Sequence, residues 1–472
     1  MDRAEIDLLA VTRGTVTAPA GCGKTQLIAQ ALVAHRDRKP ILVLTHTNAG
    51  VAALRGRLSQ AGVPANAYRL STIDGWALRL ISSFPGRSAH DPEILRLASP
   101  SRDYPLIREA AGRLLQAGHV SEVLKASYAH LIVDEYQDCS VPQHNIVCFL
   151  SLILPTCVLG DPMQAIFGFR GNALADWSQQ VCTHFPIVGE LSTPWRWRNV
   201  GAEALGEWLL EARRLLASRQ SVDLRTAPPE YVTWFPAVPP NDHQQRLAAA
   251  RIAPPAADGR VLIIADSRSR DAQRKFASQT PGASTVEAVD LQDLIAFCTS
   301  FDVSSPLALG QVLNFAQSVM TNVGVTQLKQ RLESLRRGTA RNPPNDAERR
   351  ALEFERAPSI AAAAVLLSEL HGLPGVRVYR PSILYGVLRA LREASAGNTP
   401  LVEAGLRVRE ENRLLGRPLP KRAVGSTLLL KGLEAETVVL LNTEGMNAQH
   451  LYVAMTRGSM RLVVCSANPI LG

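Results

Sequence analysis

One stretch near the N-terminus constrains this chain more than any other. Thr15-Val16-Thr17 has the β-branched character of a strand, and Ala18-Pro19-Ala20-Gly21-Cys22-Gly23-Lys24-Thr25 follows it and runs into an amphipathic helical pattern. A strand, a glycine-rich turn and a helix aim successive backbone N–H groups at one point before a helix N-terminus, where an anion is held. The spacing AxxGxGKT fits a phosphate-binding loop with alanine at its first glycine position. Gly21 and Gly23, flanked by Ala20 and Cys22, let the backbone approach a phosphate chain. Lys24 then reaches the β- and γ-phosphates, and Thr25 offers its hydroxyl to Mg²⁺. A chance Gly-Lys-Thr turn is the competing account. It leaves unexplained why one of only seven lysines in 472 residues sits here.

A second signal is the apolar run 131–133, which ends in Asp134-Glu135-Tyr136-Gln137-Asp138. Two acids at a strand end beside a phosphate loop form a Walker B arrangement. Asp134 holds the Mg²⁺ and Glu135 polarises the attacking water. A solvated acidic turn is the alternative for such a pair taken alone. Apolar, β-branched runs recur at 14–18, 41–45, 130–133, 157–160 and 187–191. A second series lies at 231–235, 261–265, 285–289, 425–430, 437–441 and 461–465. Helical patterns separate them, so the predicted fold class is α/β, with parallel sheets covered by helices on both faces. Residues 76–125 and 301–415 read as helices without strong strands, for example 327–337 and 359–372. The Pro-rich stretches 236–240, 253–257 and 342–344 read as loops.

The net charge of +9 suits a polyanionic partner, nucleic acid first. However, 44 of the 51 basic residues are arginine, and an Ala- and Arg-rich usage also follows from a GC-rich genome. The longest apolar run, about 147–160, is too short for a bilayer and contains Pro155. With Met-Asp-Arg-Ala-Glu leading into no signal-peptide core, a cytoplasmic protein without membrane partners is expected. Seven cysteines without a CxxC or a Cys/His cluster point to reduced thiols rather than a zinc or iron–sulfur site.

Asp134-Glu135-Tyr136-Gln137-Asp138 after a strand resembles motif II of the UvrD/Rep-type superfamily 1A DNA helicases, and other segments follow in that family's order. Leu44-Thr45-His46-Thr47-Asn48-Ala49 resembles motif Ia, and Ser71-Thr72-Ile73-Asp74-Gly75 resembles the next DNA-contacting motif. The segment from Gly160-Asp161-Pro162-Met163-Gln164 to Phe169-Arg170-Gly171 resembles motif III. Pro194-Trp195-Arg196 stands where the family has Asn-Tyr-Arg. Lys431-Gly432-Leu433-Glu434 resembles the core of motif V, and Leu451-Tyr452-Val453-Ala454-Met455-Thr456-Arg457 resembles motif VI. The resemblance runs from residue 18 to residue 458.

The resemblance implies two RecA-like P-loop domains with ATP and Mg²⁺ in the cleft between them, each domain carrying a helical insertion. The expected bounds are 1–75 and 126–190 for the first domain and 76–125 for its insertion. They are 191–300 and 416–472 for the second domain and 301–415 for its insertion. By resemblance, Gln164 contacts the γ-phosphate, Arg196 and Arg457 reach across from the second domain as arginine fingers, and Glu434 joins the nucleotide site. Thr45, His46, Thr47, Asn48, Thr72, Phe169 and Arg170 would line a path for single-stranded DNA. Phe169 stands at the place of a stacking Trp and His46 at that of a Phe. Trp76 reads better as core.

Three departures stand out. Residues 1–13 contain no Gln to read adenine. Leu428 and Leu429 replace hydrogen-bonding groups before Lys431. Only 62 residues separate Thr72 from Asp134, so the first insertion is short. The leading expectation is an ATP-dependent motor stimulated by single-stranded or end-containing DNA, a UvrD-like helicase or translocase whose 3′ to 5′ polarity is implied by resemblance only. The alternative is a helicase-like regulatory or sensing subunit of a nuclease complex with little unwinding of its own. It is similar to the helicase-like subunit of Gabija-type anti-phage systems. A small-molecule kinase leaves Gln164 and the second set of motifs unexplained.

Overall fold

The computed structural model describes residues 6–168, 173–397, 399–415 and 419–472; Phe169 and Arg170 of the expected DNA path lie outside the described residues. The chain divides into two compact units. One comprises Met1–Thr233, Thr443–Met460 and Asn468–Gly472, and the other Trp234–Asn442 and Arg461–Ala467.

The first unit is built on a six-stranded sheet in the order Tyr68–Thr72, Ile41–Thr45, Leu131–Val133, Thr156–Gly160, Arg13–Thr17, Ile187–Glu190. Every pairing is parallel. The apolar runs are continuous because both faces are covered. Leu42, Leu44, Leu131, Val133 and Val158 join one core with the helices Ile73–Ser83, Pro100–Gln116 and Val141–Ser151. Ile41, Val43, Ile132, Cys157 and Leu159 join the opposite core with Lys24–Ala34 and Asn48–Gln60. This is the two-residue alternation of a strand read on both faces.

The 76–125 stretch is helical. Its apolar residues Ile107, Ala110, Ala111 and Leu114 enter the same core as the sheet, and so does Trp76. Asp74 fastens this layer: it receives both Arg108 Nε and Nη2 at 2.7 Å, and Gln143 Nε2 at 3.1 Å.

The second sheet runs Ala283–Thr285, Arg422–Gly425, Val261–Ile264, Ala435–Leu440, Gly458–Ser466, Val232–Pro236. Its first four strands pair in parallel. Beside it stands a helical body whose core draws on Leu313, Phe354, Leu366, Leu384 and Leu391. Its helices are Gln292–Ser300, Ala308–Val319, Val325–Arg336, Asp346–Arg356, Ile360–Gly372, Pro381–Gly397 and Leu401–Leu415.

Two strand predictions need correction. The 285–289 run leaves the sheet after Thr285, because Glu287 turns toward Arg380 and accepts from its Nε at 2.7 Å and its Nη2 at 3.0 Å. The 425–430 run ends as a strand at Gly425. Thr427–Leu430 is a helical turn whose N-cap, Ser426, accepts from Leu429 N at 3.3 Å. A leucine run fits strand or helix equally, and the serine before it is what selects the helix. On the helical body Arg331, Arg336 and Arg337 pair with Glu348, Glu355 and Glu333 respectively.

The expected second domain included 191–233 and 443–460, whereas these segments fall in the unit that holds the phosphate loop. The reason is packing. Trp197 and Tyr452 are each 1% exposed, and both touch the loop.

Candidate nucleotide site

In a wholly parallel sheet all strand C-termini lie at one edge, and the chemistry collects there. Thr17, Thr45, Thr72, Val133 and Gly160 each end a strand of the first sheet. The phosphate loop leaves from Thr17. Its first amide, Ala18 N, donates to Gly160 O at 2.8 Å. Gly21 and Gly23 hold φ of 72° and 87°, the left-handed region where glycine carries no penalty. Gly23 is the N-cap of Lys24–Ala34. Both glycines also face tryptophans: a Cβ on Gly21 would lie 2.5 Å from Trp197 Cζ3, and one on Gly23 would lie 3.0 Å from Trp195 Cδ1. Alanine at position 21 would therefore be excluded on two independent grounds.

Lys24 meets the strand-end acids. Its Nζ lies 3.0 Å from Asp134 Oδ1 and also bonds Glu135 Oε1. Burial opposes the ammonium charge, but the two carboxylates outweigh it and hold Lys24 charged above its ordinary range. Burial pushes the Asp134 carboxyl above its ordinary range against the pull of Lys24, so its anion is costly here until a further cation joins it. With the Thr25 hydroxyl and the helix N-terminus beside it, that donor set fits a divalent cation bound with a phosphate chain. In this arrangement Thr25 Oγ1 accepts from Arg57 Nη1 at 3.0 Å.

Beyond Glu135 the polar network continues. Gln137 Nε2 donates to Glu135 Oε2 at 2.6 Å, and Asp161 N donates to Gln137 Oε1 at 3.1 Å. Asp161 accepts from Gln164 Nε2 at 3.2 Å, and from Arg213 Nη2 and Nε at 2.8 and 3.1 Å. Burial opposes the charge on Arg213, and Asp161 outweighs it. On the other side of the loop, Tyr452 Oη accepts from Ala20 N at 3.1 Å. Burial and nearby Asp161 push the Tyr452 phenol well up, so it stays neutral. Burial and Asp161 likewise push the Cys22 thiol up to about 12.

Arg196 and Arg457 come together at the end of the helix Ala448–Met455. Arg196 N donates to Gly21 O at 3.0 Å, and its Nη1 donates to Thr456 O at 2.7 Å. Arg457, 3% exposed, donates from Nε to Val453 O at 2.9 Å and from Nη2 to Thr456 Oγ1 at 3.1 Å. Lys24, Thr25, Asp134, Glu135, Gln164, Arg196 and Arg457 thus all belong to one unit. Glu434 belongs to the other, in the turn before Ala435–Leu440.

Of the expected DNA contacts, Thr45 is buried at its strand end. The Thr47 and Thr72 hydroxyls each cap a helix, accepting from Gly50 N and Gly75 N at 3.0 Å. Asn48 opens the helix after Thr47. The His46 ring lies 5.6 Å from that of Phe167. Sequence reasoning gave no role to Gln137, Arg213 or Trp197. Gln137 and Asp161 sat inside quoted motifs, while nothing in the local sequence pointed to Arg213.

Residues 98–180 match the family model of the UvrD/REP helicase N-terminal domain. Over that span, which holds Asp134, Glu135 and Gln164, the chain is UvrD-like. Among solved structures, the chain is similar to an arterivirus nonstructural protein 10 (helicase) in complex with DNA. The TM-score is 0.36 at 10% identity, over 97% of this chain and 61% of that one. The crystal structure of an arterivirus nonstructural protein 10 gives 0.35 at 11% identity, over 97% and 60%. This chain therefore spans about three fifths of the length of those helicases. No curated protein matches it. No described helix is long and apolar enough to cross a membrane.

Proposed function

We propose that this chain is a UvrD-like motor ATPase that hydrolyses ATP with Mg²⁺ and is driven by contact with single-stranded DNA. The observation that carries the reading is Lys24, on the glycine loop, held between Asp134 and Glu135 at the C-terminal edge of one parallel sheet. ATP with Mg²⁺ would supply a γ-phosphoryl group polarised for in-line attack by water. Asp134 and Thr25 are the residues to hold the cation, and the amides of residues 21–25 those to hold phosphate oxygens. Lys24 exchanges its carboxylate partners for phosphate. Glu135, released from Lys24, accepts the proton of the attacking water. Gln164, Arg196 and Arg457 stand in the same unit as the loop, which supports roles against γ-phosphate charge.

The His46–Phe167 pair and the two threonine-capped helices lie at the same sheet edge, which supports a nucleic-acid path there. Turnover measured with and without single-stranded DNA tests the reading. It should rise on addition, and binding should weaken steeply between about 50 and 200 mM salt. Turnover indifferent to DNA would overturn the motor. A second reading, a regulatory subunit with little unwinding, is favoured by Leu428, an exposed apolar side chain where the resembled motif offers hydrogen-bonding groups. Processive unwinding of long duplexes by the purified chain alone would exclude it.

A further inference from the structure

Gln137 is 3% exposed and held at both ends. Its Nε2 donates to Glu135 Oε2 at 2.6 Å and, more weakly, to Asp138 Oδ2 at 3.4 Å. Its Oε1 accepts from Asp161 N at 3.1 Å. The partners fix the orientation of the amide. Ionised carboxylates only accept and a backbone N–H only donates, so the flipped amide would set oxygen against oxygen and N–H against N–H. Gly160 keeps the space open, because a Cβ there would lie 2.7 Å from Gln137 Oε1. The bend that returns Gln137 to Glu135 uses a left-handed backbone at Glu135, φ 53°. A non-glycine residue keeps such a conformation where its surroundings over-determine it.

The two ends of Gln137 belong to two parts that hydrolysis would need at once. One is Glu135. The other is the turn that begins at Asp161, whose carboxylate caps Met163 N at 3.1 Å, holds the Gln164 amide at 3.2 Å and is clamped by Arg213. Resting on the reading in the preceding subsection, we propose that Gln137 is a positioning residue. It fixes the Glu135 carboxylate and ties its place to the Asp161–Gln164 turn. Lys24 bonds Glu135 Oε1 in this arrangement. When Lys24 turns to phosphate, Gln137 still holds Oε2, so the base stays aimed while it loses its cation. A misplaced base costs rate without costing nucleotide affinity.

The test uses the full chain with Gln137→Met, which conserves volume without a donor, and Gln137→Asn, which stays polar but falls short. Steady-state ATP turnover with single-stranded DNA, single-turnover hydrolysis and melting temperature are measured for each. Each variant should lose about 10- to 100-fold in kcat, with KM for ATP changed by less than about threefold. In a Glu135→Gln background the same substitutions should cost almost nothing further, because the group they position is gone. Full kcat in both variants would overturn the proposal. So would a loss that multiplies unchanged onto Glu135→Gln, or one that tracks melting temperature in both, since either marks a merely structural side chain. Failure of the underlying reading looks different: wild type would hydrolyse no ATP, or Glu135→Gln would turn over like wild type, and this proposal would fall with it.

Discussion

The two units bury charge for opposite ends. In the first, Lys24, Asp134, Asp161 and Arg213 are gathered at the strand C-termini, beside backbone held at positive φ at Gly21, Gly23 and Glu135. In the second, the helical body buries Leu, Val, Ala and Phe. Among the described residues its strongly buried arginine, Arg380, ties Glu287 and Asp293 at the foot of the helix Pro381–Gly397. The first arrangement keeps a cation between carboxylates that a phosphate can replace. The second pairs one guanidinium with two carboxylates of neighbouring segments, with no glycine loop beside it among the described residues. On the proposed reading, buried ions serve chemistry in one unit and structure in the other.

The sharpest way to break that contrast is Arg380→Ala. Removing one partner of a buried ion cluster leaves the others uncompensated, so the second unit should lose about 3–5 kcal/mol of stability. Nucleotide binding per folded molecule should be unchanged. Denaturant melts beside a nucleotide titration check both, and a variant as stable as wild type would make the cluster dispensable.

Acid should separate the units next. Burial, with His35 and His184 adding to it, lowers His130 and His144 to about 4 each, from 6.5. The unfolded chain therefore binds protons first as pH falls. Stability is complete above 6.5 and declines from 6.5 toward 4, by up to about 1.4 kcal/mol per pH unit for each histidine. For Glu287, burial raises its carboxyl, but Arg380 outweighs this and holds it below its ordinary 4.5. Its contribution is present above 4.5 and is lost as pH falls through the lower folded value. The first unit should thus yield first on acidification. Five of the six tryptophans (76, 177, 195, 197 and 208) lie in it, so tryptophan fluorescence during urea melts at stepped pH reads it out. His130→Asn should flatten the decline. The smallest effect belongs to Arg337→Ala: its exposed pair with Glu333 should leave the melting temperature unmoved, since a solvated pair contributes little.

What the sequence made legible follows from how local each signal is. The buried strands Ile41–Thr45 and Thr156–Gly160 announce themselves as unbroken apolar runs. The glycine loop and the acids after Leu131–Val133 are contiguous motifs. The edge strand Tyr68–Thr72 is only partly buried and reads Tyr-Arg-Leu-Ser-Thr, so no run marks it. Thr427–Leu430 was hidden because three leucines fit either period. Arg213 lies 52 residues from Asp161, and the packing of Trp197 and Tyr452 on the loop joins segments hundreds of residues apart. Such pairings are fixed by tertiary packing rather than by neighbours in the chain.

The central claim is that the ion cluster at the first sheet edge is an ATP-hydrolysing centre with Glu135 as its base. Turnover of Glu135→Gln, measured with Mg²⁺, ATP and single-stranded DNA alongside nucleotide binding, tests it most directly. The account predicts that binding is kept while turnover falls about 10²- to 10⁴-fold, the usual loss for a general base. Turnover at the wild-type rate in Glu135→Gln would contradict it.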